Sequence, residues 1–139
     1  MDLKAVKVSK WFIIESYFNT INHVLNGTVA LYMTWFCYNI GWSKMTTHIY
    51  LTTIGYQLLM AEGIMTLYSA NSWTYFHSKA TKRFLHWIVQ ALAAIAIVSG
   101  NVLIICIKKS GHFNTIHGVT GKFLLLLLTI FINYHLLIM

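Results

Sequence analysis

The sequence predicts an all-α, multi-pass transmembrane bundle of four helices with its N-terminus in the cytosol. Three observations carry this. The 139 residues are 58% hydrophobic and only 9% charged, too few charges to cover a water-facing surface, of which a soluble domain carries roughly 25%. Four apolar runs each reach the ~20 residues that a hydrocarbon core requires of a helix. The basic residues gather at the ends of those runs, the pattern that orients membrane proteins. Disorder is excluded by the same hydrophobicity. A net charge of +7 would point a soluble chain toward nucleic acid. Here its placement at run ends points to the lipid bilayer instead, and no nucleic-acid partner is expected.

The spans read as residues 11–38, 47–68, 84–107 and 117–139, forming one domain over 1–139. Backbone groups in lipid must be satisfied within the segment, so each is a helix. The connections are short, which makes successive helices antiparallel neighbours. The basic start followed by an apolar run has the outline of a signal peptide. The run is too long and lacks a small-residue cleavage site, so a retained first span is expected. Lys4, Lys7, Lys10, Lys79, Lys82 and Arg83 lie on one side, and Lys44, Lys108 and Lys109 on the other. The richer side is the cytosol, which places Met1 and Met139 there.

Polar residues inside the spans form stripes. Glu15, Asn19, Asn22, His23 and Asn26 share one face of the first helix. By the same count His48, Thr52, Gly55, Leu59, Glu62 and Thr66 share a face of the second. His86, Gln90, Ala93, Gly100 and Asn101 do so in the third. His117 and His135 point the same way on the fourth, ~27 Å apart at 1.5 Å per residue. Depth then sorts the histidines. His48 and His117 open helices that start on the non-cytosolic side, so they can face each other. His86 opens a helix on the cytosolic side, and His135 ends one at about that depth.

Two imidazoles from facing helices are what a six-coordinate haem iron takes as axial ligands. Gly55, Gly118 and Gly121 are the small residues that would make room for the macrocycle. The bland alternative is that such histidines sit at the membrane interface and bond headgroups or backbone. Zinc fits less well, because it favours closely spaced ligands with Cys or carboxylate.

At these residues the chain resembles a known family. The stretch His48-Ile49-Tyr50-Leu51 through Gln57-Leu58-Leu59-Met60-Ala61-Glu62 is similar to the second helix of the cytochrome b561 family. Lys79-Ala80-Thr81-Lys82-Arg83-Phe84-Leu85-His86-Trp87 resembles the basic run that leads to that family's helix-three histidine. His117-Gly118-Val119-Thr120-Gly121 resembles its helix-four opening. The likeness runs over about 42–131 and looks closest to the short, domain-only branch. It implies a transmembrane electron carrier with haem b, two in the family. His48 and His117 would hold the non-cytosolic haem, and His86 one ligand position of the cytosolic haem. Lys79, Lys82 and Arg83 would receive cytosolic ascorbate. The electron would leave to ferric iron or to monodehydroascorbate, making the chain a ferrireductase or monodehydroascorbate reductase. An endomembrane location, in the endoplasmic reticulum or vesicles, is expected over the plasma membrane.

The family has six helices, and four are read here. The usual helix-five partner of His86 is missing. The expectation is a truncated form that holds only the non-cytosolic haem; the alternatives are that His135 serves as surrogate ligand or that a second chain, as in a homodimer, completes the bundle. Outside these sites, His23 reads as a satisfied interior histidine, and His77 and His112 as loop residues. Glu62 is expected to hydrogen-bond within the bundle, with a proton-relay role as the alternative. Cys37 and Cys106 read as buried free thiols. Two other functions compete: a small proton-coupled exporter using Glu15, and a structural membrane subunit.

Overall fold

The computed structural model describes residues 10–107 and 114–138, with side chains to Ile130. Lys4, Lys7, Lys108, Lys109, His112, Met1 and Met139 lie outside the described residues, as does the side chain of His135. Four helices and no strands are present among the described residues. They are α1 (Lys10–Ile40), α2 (44–65), α3 (Lys79–Ile107) and α4 (Ile116–Ile138). α1 starts and ends within two residues of its expected span. α2 stops earlier than expected and α3 starts earlier.

Local chemistry explains these boundaries. α1 ends at Gly41, whose φ of +91° is the left-handed conformation that glycine adopts without a Cβ penalty. Two residues on, Ser43 caps α2: its hydroxyl accepts from Thr46 N–H at 3.2 Å, and its own N–H donates to Thr46 Oγ1 at 2.6 Å. Ser78 does the same for α3, accepting from Thr81 N–H at 3.2 Å. That cap lies upstream of the apolar run, so the helix begins with the basic turn already wound.

The interior of α2 departs from the expected face. Residues Ile54–Met60 wind as a π-helix between the α-helical Lys44–Thr53 and Ala61–Met65. A π segment carries extra residues per turn and is frequent at functional positions. It shifts the phase between the two halves. Gly55 faces α3, where an added Cβ would meet Ile97 Cγ1 at 2.5 Å. Seven residues later Glu62 faces α1 instead, bonded to His23, and Gly63 takes the α3-facing place against Gln90. His48, Gly55 and Glu62 therefore do not share one face.

α2 packs chiefly on α3, and α1 packs on α2. The seam is built from small residues: Gly55, Gly63, Ala93 and Gly100 are buried there with Ile97. α1 docks through its polar stripe, with Gln57 Nε2 donating to Asn26 Oδ1 at 3.1 Å. The described part of α4 makes few contacts with the other helices, which leaves clefts along it.

The connection 66–78 is a tied knot rather than a solvated loop. Asn71, Thr66 and Thr74 are fully buried. Asn71 Oδ1 accepts from the N–H groups of Trp73 and Thr74, both at 3.0 Å, and its Nδ2 donates to Met65 O at 2.7 Å. Ser72 N–H donates to Asn19 Oδ1 at 3.2 Å, tying the knot to α1. Asn71→Ala strands buried donors, each costing about 1–3 kcal/mol. A clear drop in melting temperature with the helix content retained is the expected result.

One described helix, Lys79–Ile107, is long and apolar enough by itself to cross a membrane, with a mean hydropathy of 2.3 over its best stretch. α1 and α2 fall short because of the same asparagines, histidines and acids that form their stripes.

Candidate functional site

His48 sits one turn into α2 and is buried. Its Nδ1–H donates to Gly100 O of α3 at 2.8 Å. A carbonyl only accepts, so the proton is on Nδ1 and the lone pair on Nε2. Gly100 makes this approach possible. A Cβ there would crowd Leu51 Cβ and Thr52 Cγ2 at 3.1 Å. Such a carbonyl partner fixes the tautomer and orientation of a metal-binding imidazole.

His117 enters from the first turn of α4. Its ring centroid lies 6.4 Å from that of His48, with the planes 82° apart. Two metal–imidazole bonds of about 2 Å plus about 1 Å from each nitrogen to its ring centre give a separation of about 6 Å. The pair is therefore spaced to hold one metal ion between them. A cleft of about 420 Å³ runs between them, lined among others by Thr52, Tyr56, Asn101 and Gly121. A smaller pocket of about 120 Å³ adds Gly118 and Lys122. A Cβ on Gly121 would meet nothing within 4 Å, and Gly118 and Gly121 both line the smaller pocket. Gly55 does not; it serves the α2–α3 seam.

The donor set fits haem iron and not zinc. Among the described residues no group of three or more His, Cys, Asp or Glu side chains is placed to hold a metal ion, whereas zinc takes at least three such ligands. Two imidazoles across a cleft with an apolar continuation suit an iron porphyrin, which supplies its own four nitrogens. That continuation, about 540 Å³, is lined by Tyr56, Met60, Ile64, Gln90 and α4 leucines.

His86 lies apart from this pair, in the second turn of α3. It is buried, and its Nδ1–H donates to Gly63 O at 2.7 Å. This repeats the His48–Gly100 arrangement at the other end of the seam and again puts the lone pair on Nε2. Of the basic run, Lys79 and Arg83 are exposed. Lys82 is buried, with Nζ donating to Tyr68 O at 2.9 Å; its charge already closes the 66–78 knot. Glu15 lies exposed in a groove with Trp11, Asn19 and Tyr68. His77 is exposed, as expected of a loop residue. His23 is satisfied by Glu62 and Asn71, as expected. Cys37 is buried with Sγ 3.6 Å from Thr46 O, but Cys106 is exposed, against expectation. α3 turns its Cys106 face outward because its contacts with α2 lie on the Ala93, Ile97 and Gly100 side.

Sequence reasoning did not foresee the carbonyls of Gly63 and Gly100 as histidine partners. Both partners are glycines, one across the seam from His48 and one across it from His86. Asn71 carried no signal in the sequence.

An all-helical bundle with two facing imidazoles beside an apolar cleft is the class of arrangement suited to holding a haem. A family model described as eukaryotic cytochrome b561 matches residues 47–138, about two thirds of the chain. The chain belongs to the cytochrome b561 family. Members of that family are membrane proteins with haem-based oxidoreductase activity. No curated protein and no solved structure matches the chain. α1 lies outside the matched region.

Proposed function

We propose that the chain is a multi-pass carrier that moves single electrons from cytosolic ascorbate to a non-cytosolic acceptor, ferric iron or monodehydroascorbate. The facing rings of His48 and His117 carry this reading. A haem b held between them supplies reversible one-electron chemistry. The chain's own residues do the rest. Gly100 O orients His48 and keeps its Nε2 available. Gly118 and Gly121 leave width for a flat group, and the leucines of α4 keep water from it. His86, held by Gly63 O, marks a second centre toward the cytosolic side. Its partner is His135 or a residue of another chain.

On the donor side Lys79 and Arg83 present free charge at the mouth. Ascorbate is an anion at neutral pH, and clustered cations raise its local concentration and rate of encounter. Lys82 holds the knot and adds to that field from beneath. The test is kinetic. Lys79→Ala with Arg83→Ala is expected to slow reduction by ascorbate several-fold at low salt. The difference should shrink as salt screens the mouth, with a Debye length of about 8 Å at physiological ionic strength. Reduction by an uncharged donor should be unchanged. Equal slowing with both donors would contradict the assignment.

A further inference from the structure

We propose that the groove between the first turns of α1 and the end of α2 binds the headgroup of a choline phospholipid, with Glu15 as counter-ion to its quaternary ammonium. The proposal is independent of the haem reading, and α1 lies outside the region that the family model matches.

The groove has a volume of about 520 Å³. Trp11, Glu15 and Phe18 follow one another at spacings of four and three residues, so they share one face of α1. Met65 and Tyr68 line the groove from the end of α2. Glu15 is exposed there. The ion pair among the described residues joins His23 to Glu62, so no described cation pairs with Glu15. Lys10 lies five residues away, about 140° around the helix at 3.6 residues per turn. The partner Glu15 has is the Tyr68 hydroxyl. A carboxylate with one neutral partner on the flank of a membrane helix is costly. A cation brought from outside the chain offsets that cost.

The lining selects the kind of cation. A primary ammonium is compact and strongly hydrated, and it seeks oxygen acceptors. Beside the carboxylate this groove offers the rings of Trp11, Phe18 and Tyr68. Aromatic surroundings of that kind recognise quaternary ammonium groups, whose charge is attracted by the ring quadrupole.

Depth selects the source. Glu15 is five residues into α1, about 7.5 Å at 1.5 Å per residue. The polar layer on each side of the hydrocarbon is about 5–8 Å thick, so the carboxylate stands at headgroup level. Trp11, Glu15 and Tyr68 form the outer part of the groove. Phe18 and Met65 lie deeper by about one turn, and Phe18 is 65% exposed. A free cation would cover only the outer part. A phospholipid places its ammonium beside Glu15 and its own apolar chains against Phe18 and Met65.

The test reconstitutes the full chain in vesicles doped with chain-spin-labelled phospholipid bearing either a choline or an ethanolamine headgroup. Both lipids are zwitterionic, so the net charge of the protein favours neither. The motionally restricted fraction of the electron paramagnetic resonance spectrum gives their relative association. The choline lipid should be preferred about two- to fivefold, the cation–π energy of about 0.5–1 kcal/mol at an exposed site converted at 1.4 kcal/mol per factor of ten. Glu15→Gln and Trp11→Leu should each remove the preference, and Trp11→Phe should retain it. Glu15 and Trp11 are exposed, so neither substitution opens a core, and unchanged helix content checks this. Equal association of the two lipids with the unmodified chain overturns the proposal. So does a preference that survives Glu15→Gln or Trp11→Leu. A preference abolished by soluble phosphocholine assigns the groove to a free cation and overturns the lipid assignment.

Discussion

His48→Ala and His117→Ala should each abolish the low-spin haem component that their rings hold, with the fold retained. One imidazole cannot supply both ligands, and among the described residues that line the cleft His48 and His117 are the histidines. Haem left in that cleft should be high-spin or absent. Stability should fall as well, by mass action: a ligand present at a hundred times its dissociation constant stabilises by about 2.7 kcal/mol, and that increment is lost with the site. Thermal unfolding with and without hemin checks it. The unmodified protein should gain melting temperature on loading, and the two variants should gain little.

Gly55→Val is expected to be the most damaging single change outside the cleft. The first added atom alone would sit 2.5 Å from Ile97 Cγ1, 3.1 Å from Ala93 O and 3.2 Å from Ile97 N. Ile97 is fully buried, and two of the three obstacles are backbone. Overpacking a close seam costs about 1–3 kcal/mol or more, a large part of the 5–15 kcal/mol that holds a typical domain. Separation of α2 from α3 would also pull His48 from Gly100 O, so haem retention should fall together with stability. Gly27→Ala is the control. A Cβ there meets nothing within 4 Å, and alanine is the better helix former by about 1 kcal/mol. It should be neutral or mildly stabilising. A Gly55→Val protein as stable as the parent would show that the seam is not where the bundle is held.

The contrast between these glycines shows what the sequence could convey. Helix existence was legible, because apolar length and basic ends report the bilayer directly. The pairing of His48 with His117 was legible from direction and depth, since each opens a helix starting at the same surface. The faces within α2 were not. Counting at 3.6 residues per turn put Gly55 and Glu62 together, and the π-helical Ile54–Met60 separates them. Nothing in the residue types of that stretch announces the extra winding. It is settled by packing, with Gly55 and Gly63 both fitted to α3. The 66–78 knot was hidden for a similar reason. Its order comes from Asn71 bonding backbone groups, and an asparagine in a connection reads the same whether it is tied down or solvated. Lys82 shows the limit of reading charge alone: its place in a basic run suggested an anion site, whereas its ammonium is spent on Tyr68 O.

The account depends on iron held between the imidazoles of His48 and His117. Low-temperature electron paramagnetic resonance of the ferric, hemin-loaded chain tests it most directly. The rings stand 82° apart, and near-perpendicular axial imidazoles give a highly anisotropic low-spin signal. That signal should be present in the unmodified chain and in His86→Ala, and lost in both His48→Ala and His117→Ala. A purely high-spin signal in the unmodified chain, or survival of that same highly anisotropic component in either of those two substitutions, would contradict it.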